Sequence, residues 1–161
     1  MGKFLIKVLD GFGYLLLVVA TLVMVTSILL QVFFRYAMNS PLYWSEEVAR
    51  YAFVWLVFIG AAIASKKGTH IGVDYFVMHL PQLPKKFLAI FVNLLVLSFI
   101  VYVIYMSTGV IKSNMTQLSP AMRIPMGYIF IAIPTGFSIS FVYIAISLCA
   151  IIKSTYRSKY S

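Results

Sequence analysis

Residues 11–34 run without a charged side chain, and three more uncharged stretches follow at 51–65, 87–111 and 124–152. An α-helix rises about 1.5 Å per residue, so three of the four can cross about 30 Å of hydrocarbon. In lipid each backbone N–H and C=O must be paired within its own segment, which makes helices of such stretches. The 15 residues of 51–65 are short for a crossing. Ser40 and Pro41 just upstream read as an N-cap and first-turn pair, and a helix starting near Pro41 would carry Glu46, Glu47 and Arg50 at headgroup level before its apolar body. The alternative is a re-entrant segment, which would leave the termini on opposite sides. Composition agrees with a lipid solvent, since 62% of the 161 residues are hydrophobic and 11% are charged. The expectation is an all-α integral membrane protein, one four-helix membrane domain over residues 1–161 with spans near 11–34, 41–65, 87–111 and 124–152.

Thirteen Lys and Arg against four Asp and Glu give a formal charge of +9. On a soluble domain that balance would raise nucleic-acid binding. Here the cations sit in short runs between apolar stretches (Lys3 and Lys7; Lys66 and Lys67; Lys85 and Lys86; Lys153, Arg157 and Lys159), where membrane lipids and not nucleic acid are the partner. Nine of the thirteen fall in the two tails and the second loop, against four in the first and third loops, which places both termini in the cytoplasm of a multi-pass protein. The apolar run after Lys7 is far too long for a secretory signal core, so it reads as a retained first helix. Residues 70–80 alternate polar side chains with Ile71, Val73, Tyr75, Phe76, Val77, Met78 and Leu80. They read either as a short segment lying in the cytoplasmic interface or as a loop packed on helix ends.

The densest polar constellation is Arg35 with Glu46, Glu47 and Arg50. On a helix Glu46 and Arg50 stand at i and i+4, and Glu47 and Arg50 at i and i+3, so either carboxylate can neutralise Arg50. Ser27, Gln31 and Arg35 follow at four-residue steps, a polar stripe that should face protein. These groups form either an ion path or, since the carboxylates sit away from the midplane where coupling sites are built, an ion-pair network locking the first two helices together. His70, Asp74 and His79 fit no metal-ligand spacing, and the single Cys149 allows no internal disulfide. No haem-ligating histidine lies within a span, and no nucleophile, paired-carboxylate or phosphate-loop motif appears, so neither a cofactor nor an enzymatic reaction is expected. Ala132, Gly136 and Ser140 repeat at four-residue steps, as do Gly60 and Ala64, and small residues at this spacing let helices approach closely. Pro134 should kink the fourth helix. Asn93, Tyr102 and Tyr105 are candidates for hydrogen bonds between helices.

The stretch from Arg35 through Asn39-Ser40-Pro41-Leu42-Tyr43-Trp44-Ser45-Glu46-Glu47-Val48-Ala49-Arg50-Tyr51, on to Trp55 and Gly60-Ala61-Ala62, resembles the signature region of the small permease subunit of tripartite ATP-independent periplasmic (TRAP) transporters, the DctQ-like family. Gly68-Thr69-His70-Ile71-Gly72-Val73-Asp74 is similar to that family's pattern after the second helix. The resemblance implies a bacterial inner-membrane scaffold with two partners, a large multi-span permease subunit and a periplasmic substrate-binding protein, in uptake driven by an ion gradient, usually sodium. It implies an organic-acid substrate such as a C4-dicarboxylate or a sialic acid, with whole-chain similarity leaning to the latter. Arg35, Trp44, Glu46, Glu47, Arg50 and Trp55 carry over as structural and subunit-contact positions.

Two other classes compete with this one. A small ion-coupled exporter acting as a homo-oligomer would need a carboxylate deep in a span, and a membrane anchor of a redox enzyme would need haem-ligating histidines there. The distribution of cations makes topology the first test. In a Cys149→Ser background, single cysteines in the first and third loops should react with a membrane-impermeant thiol reagent added outside, and those in both tails should stay protected. Outside labelling at position 158 would overturn the four-span arrangement.

Overall fold

The computed structural model describes the backbone of residues 2–77 and 82–159, and side-chain surroundings for residues 6–66 and 88–152. The chain forms α1 (Gly2–Tyr36), α2 (Tyr43–Val77), α3 (Gln82–Asn114), the one-turn α4 (Gly127–Phe130) and α5 (Ala132–Lys159). Within these, Ile6–Tyr36, Tyr43–Lys66, Leu88–Asn114 and Gly127–Ile152 are long and apolar enough to cross a membrane. That is the all-helical, four-span architecture expected from the uncharged stretches.

Several boundaries differ from the sequence expectation, each for a local reason. α2 starts at Tyr43 and not at Pro41. Asn39 takes a left-handed conformation (φ 49°), one that Asn tolerates, and the Ser40 N–H returns to the Phe34 carbonyl at 3.1 Å. Ser40 and Pro41 therefore belong to the turn, and it is the Leu42 carbonyl that receives both the Ser45 N–H at 3.3 Å and the Ser45 hydroxyl at 2.7 Å. At its far end α2 does not stop near Ser65 but continues as one helix to Val77, so residues 70–77 are neither a separate interfacial segment nor a loop; residues 78–81, with His79, lie outside the described residues. The fourth segment is not one helix from Ile124. It holds α4 and α5 with Ile131 between them, because Pro134 has no N–H for the Phe130 carbonyl and its ring crowds that oxygen. The kink assigned to Pro134 falls one turn upstream. Regular bonding resumes where the Thr135 N–H (3.2 Å) and hydroxyl (2.7 Å) both reach the Ile131 carbonyl.

The spans stand in a row and not in a closed bundle. α1 packs on α2, α2 on α5 and α5 on α3, while α1 and α3 make no contact among the described residues. The two middle helices come close at Gly136, where an added Cβ would lie 2.7 Å from the Phe58 carbonyl oxygen and 3.0 Å from the Phe58 Cβ. The Phe58 and Phe137 rings pack beside this contact with centroids 6.3 Å apart. On its other flank α2 meets α1, where Ile63 Cδ1 would stand 3.0 Å from a Cβ at Gly13 and Leu17 Cδ2 3.8 Å from one at Gly60. The core between them is Ile59, Ala62, Ile63, Ile139 and Tyr143, with Trp55, Leu16 and Leu17 packed against it. Ala132 and Gly136 are buried and Ser140 is half-buried, as the small-residue repeat leads one to expect, whereas Ala64 is exposed. Tyr102 and Tyr105 point away from the row, and Asn93 donates to its own helix at Ala89 O (2.7 Å). None of the three bonds across to another helix among the described residues.

Lipid offers helices no hydrophobic drive to associate, so contact depends on how closely backbones approach. Gly136→Ala should force α5 off the Phe58 backbone and destabilise the protein by about 1–3 kcal/mol, the range for overpacking a tight site. Gly11, which has nothing within 4 Å of an added Cβ, is the control; Gly11→Ala should leave stability unchanged or raise it by up to about 1 kcal/mol. Thermal melts of the detergent-solubilised variants read both, and equal melting of Gly136→Ala and wild type would refute the tight contact.

Candidate functional site

The carboxylates of the spans lie toward the two span ends. At the end carrying the α1–α2 and α3–α4 connections, the chain after Asn114 folds into a narrow turn. Leu118 pairs with Pro125 in an isolated antiparallel bridge, the Ser119 N–H donates to Ile124 O at 2.9 Å, and the Met126 N–H to Gln117 O at 2.9 Å. The turn reverses through Arg123 in a left-handed conformation (φ 57°). This geometry leaves the N–H groups of Ala121 and Met122 at the tip without a carbonyl. Glu47 meets them. Starting α2 at Tyr43 puts Glu47 on the flank facing the turn, where it is 7% exposed, and its Oε2 accepts from the Ala121 N–H at 3.1 Å and the Met122 N–H at 2.8 Å. The Tyr51 hydroxyl, one turn further along α2, donates to Oε1. The carboxylate thus joins α2 to a loop more than seventy residues away. Bonds of this charge-assisted kind contribute about 1.5–3 kcal/mol each.

Its neighbour Glu46 points the other way. Glu46 Oε1 accepts from Arg50 Nη2 at 2.9 Å, with the two side chains 63% and 68% exposed. Of the two carboxylates offered to Arg50 by helical spacing, the structure uses only Glu46, and Arg50 is not in the dehydrated surroundings that a locking network would require. Arg35 forms no ion pair among the described residues; its guanidinium lies 6.0 Å from the centroid of its neighbour Tyr36. In the stripe running to Arg35, Ser27 is buried, Gln31 half-buried and Arg35 exposed. Glu46, Glu47 and Arg50 line an open cavity of about 920 Å³ between the start of α2, the turn and α4, together with Trp44, Tyr43 and Phe130. Trp55 lines a smaller apolar hollow of about 300 Å³ between α1 and α2, beneath Met122 and Ile124.

The second centre was not visible in the sequence. Near the start of α1, Asp10 accepts from Lys66 Nζ on α2 at 2.6 Å and from the Tyr143 hydroxyl on α5 at 2.8 Å. Lys66 also stands 5.9 Å from the Tyr143 ring centroid. One carboxylate therefore bonds to side chains from both of the row's middle helices. Asp10 borders the first uncharged stretch and is one of only four acids in the chain. It shares a face with Gly13 and Leu17, and a carboxylate on an inward face is the signal that marks it. Asp10 and Glu47 are held by static donors at opposite ends of the spans. Such groups tie elements of the chain together.

These contacts rank the substitutions. Glu47→Ala frees two tip N–H groups and should lower thermal stability strongly, by about 2–4 kcal/mol, while Arg50→Ala removes one exposed i, i+4 pair and should cost under about 0.5 kcal/mol. Equal effects, or a larger loss for Arg50→Ala, would overturn the assignment of Glu47 as the clamp.

The chain matches the family described as "Tripartite ATP-independent periplasmic transporters, DctQ component" over residues 24–154, a region that contains the Glu47 turn and all of α2 and α3. A protein of Haemophilus influenzae named a TRAP transporter small permease protein is 30% identical over 94% of this chain and 81% of its own length. The sialic acid TRAP transporter small permease protein SiaQ of Vibrio cholerae is 30% identical over 50% of this chain and 46% of its own. The sialic acid TRAP transporter permease protein SiaT of Haemophilus influenzae is 31% identical over 65% of this chain, yet that region is only 17% of the longer protein. With four membrane-crossing helices and a family match spanning most of its length, the chain is a multi-pass protein of the bacterial inner membrane and belongs to the DctQ family of TRAP transporter small permease components.

Proposed function

We propose that this chain is the non-catalytic scaffold subunit of a TRAP-type secondary transporter, bracing the large permease subunit for sodium-gradient-driven uptake of an organic acid delivered by a periplasmic binding protein. The observation that carries the reading is the use of its carboxylates. Within the spans, Asp10 and Glu47 are each bonded to other elements of the same chain, far from mid-membrane, and Glu46 is paired at the surface. Transport sites in secondary carriers are built near the midplane from broken helices and coordinating groups. Here α1, α2 and α3 run unbroken, and the one interruption, at Ile131, lies close to the end of its span.

With both termini in the cytoplasm, the Glu47 turn and the large cavity beside it face the periplasm, the side from which a binding protein delivers solute. Trp44, Arg35, Glu46 and Arg50 are exposed at that end and are subunit-contact positions on this reading. Ala132, Gly136, Gly60 and Trp55 serve packing within the chain, and Gln31, Ala64 and Ser140 are candidates for contact with a neighbour. The names of the sialic-acid relatives favour a sialic acid as solute over a C4-dicarboxylate.

Purified alone and reconstituted into liposomes under an inward sodium gradient, the chain should move no sialic acid. Uptake should appear only when the large permease subunit and its cognate binding protein are both added. Sodium-driven uptake by this chain alone would overturn the scaffold reading, and uptake of a C4-dicarboxylate but not of sialic acid by the full assembly would reassign the solute.

A further inference from the structure

An open row of four helices has two edges, and the two edges of this one differ in chemistry. The α1 edge presents Val8, Phe12, Leu15, Leu22, Leu29 and Val32, a surface that acyl chains solvate well. Apart from Tyr14, which is 50% exposed toward the start of its span, its exposed hydroxyls are short ones that can turn back on their own helix, as Thr21 does to Leu17 O at 2.7 Å. The α3 edge presents Phe91, Leu95, Tyr102 and Tyr105, and there the hydroxyls are different. Ser98 and Thr108 bond their own turns at 2.7 and 2.8 Å, but a tyrosine carries its O–H at the far end of a rigid ring, out of reach of its own backbone.

Tyr102 and Tyr105 are 58% and 71% exposed, and neither hydroxyl has a partner among the described residues. Their depth is what matters. Residue 101 is the middle of the Leu88–Asn114 span, so Tyr102 and Tyr105 stand about 1.5 and 6 Å along the axis from the centre, well inside a half-thickness of about 15 Å. Helical side chains lean toward the N-terminus of their helix, which carries the Tyr105 ring toward mid-membrane and not out to the headgroups. Tyr36, Tyr43 and Tyr128, also exposed, stand at span ends where water and headgroups serve them, and Tyr14 on α1 stands about 10 Å from the middle of its span and leans further toward the N-terminal end, within reach of the headgroups. At the centre of a bilayer lipid provides no acceptor, and a hydroxyl there needs protein.

We propose that the α3 edge, centred on Tyr102 and Tyr105 and flanked on the same face by Ser98 and Gly109, is the surface that docks on the large permease subunit, which supplies the two hydrogen-bond acceptors, while the α1 edge faces lipid. The proposal rests on the scaffold reading above and adds the face. Two observations select this occupant. The pair of unsatisfied mid-membrane donors calls for a membrane-embedded protein, and in SiaT the matching region is a small part of a longer permease chain, so there the same segment is covalently joined to a much larger membrane partner. Gly109, with nothing within 4 Å of an added Cβ, leaves room beside the tyrosines for a neighbouring helix to come close.

The test is photocrosslinking in membranes that contain the co-expressed large subunit, with p-benzoylphenylalanine placed singly at 98, 102 and 105 on α3 and at 15, 22 and 29 on α1. The α3 positions should give an adduct of this chain with the large subunit, and the α1 positions none. In parallel, Tyr102→Phe and Tyr105→Phe, which keep the rings and remove only the hydroxyls, should each lower the fraction copurifying with the large subunit by about threefold, the size typical of a hydrogen bond between membrane helices, with the amount of this chain in the membrane unchanged. Adducts with the large subunit from α1 alone, or α3 adducts of the mass of two copies of this chain, would overturn the docking face and leave the scaffold role standing. Failure of the wild-type chain to copurify with the large subunit would overturn the scaffold reading and the face together.

Discussion

Helices in water are driven together by the apolar surface they hide, but an acyl chain is as apolar as a leucine, and in lipid that force is gone. What remains is the gain from close van der Waals approach and from polar groups that find partners. In this protein the approach of α5 to the Phe58 backbone at Gly136 carries that role. α2 and α5 are the two middle members of the row; α1 is held mainly through α2, and α3 mainly through α5. A side chain at residue 136 would part the two helices on which the others hang.

The carboxylates act at a distance from this contact and in a complementary way. Close packing at Gly136 sets how near α2 and α5 stand but leaves them free to rock about the contact. Asp10 at one end bonds to Lys66 and Tyr143, one from each middle helix, and Glu47 at the other fastens α2 to the turn that leads into α4 and α5. Two restraints on opposite sides of a pivot remove the rocking. The energetic asymmetry between Glu46 and Glu47 follows from the same geometry. Adjacent carboxylates on a helix point about 100° apart, so one faces solvent and pairs with a mobile arginine while its neighbour is enclosed with donors that have no other acceptor.

Which parts of this arrangement could be read from the chain depends on the range of the interactions. The spans were legible because backbone satisfaction in lipid is decided segment by segment, and the pairing of Glu46 with Arg50 because helical spacing is local. Gly136 was legible as a packing residue from the repeat of small side chains, though its partner Phe58 was not. Glu47 was singled out with the wrong partner in view, since the donors it holds are backbone N–H groups of a turn whose conformation no local pattern announces. Asp10 escaped notice because its partners stand 56 and 133 residues away and because it borders an apolar run where a charge passes for a flank. The start of α2 was misplaced by a good N-cap sequence, Ser40-Pro41, that the chain uses instead to complete the turn begun at Asn39. The continuation of α2 to Val77 was missed because polar and apolar side chains mix over residues 70–80 beyond the uncharged stretch, a pattern that does not bar a helix.

A row fixed in this way suits one half of the work a secondary transporter divides between its parts. The moving half must pass a solute across the membrane's middle, and for that it needs helices broken at mid-depth, whose free backbone groups can hold a charged cargo. The static half must resist the same motion, which calls for unbroken helices, restraints near both surfaces and tight packing between the middle helices. The distribution of polar atoms here follows the second pattern. Asp10, Glu47 and the Ile131 interruption all lie toward span ends, and the centre of the α2–α5 contact is apolar, formed by Ile59, Ala62, Phe58 and Ile139. The exposed tyrosine hydroxyls nearest mid-membrane, those of Tyr102 and Tyr105, stand instead on the outer edge of α3, where they can engage a neighbour without loosening the row that carries them.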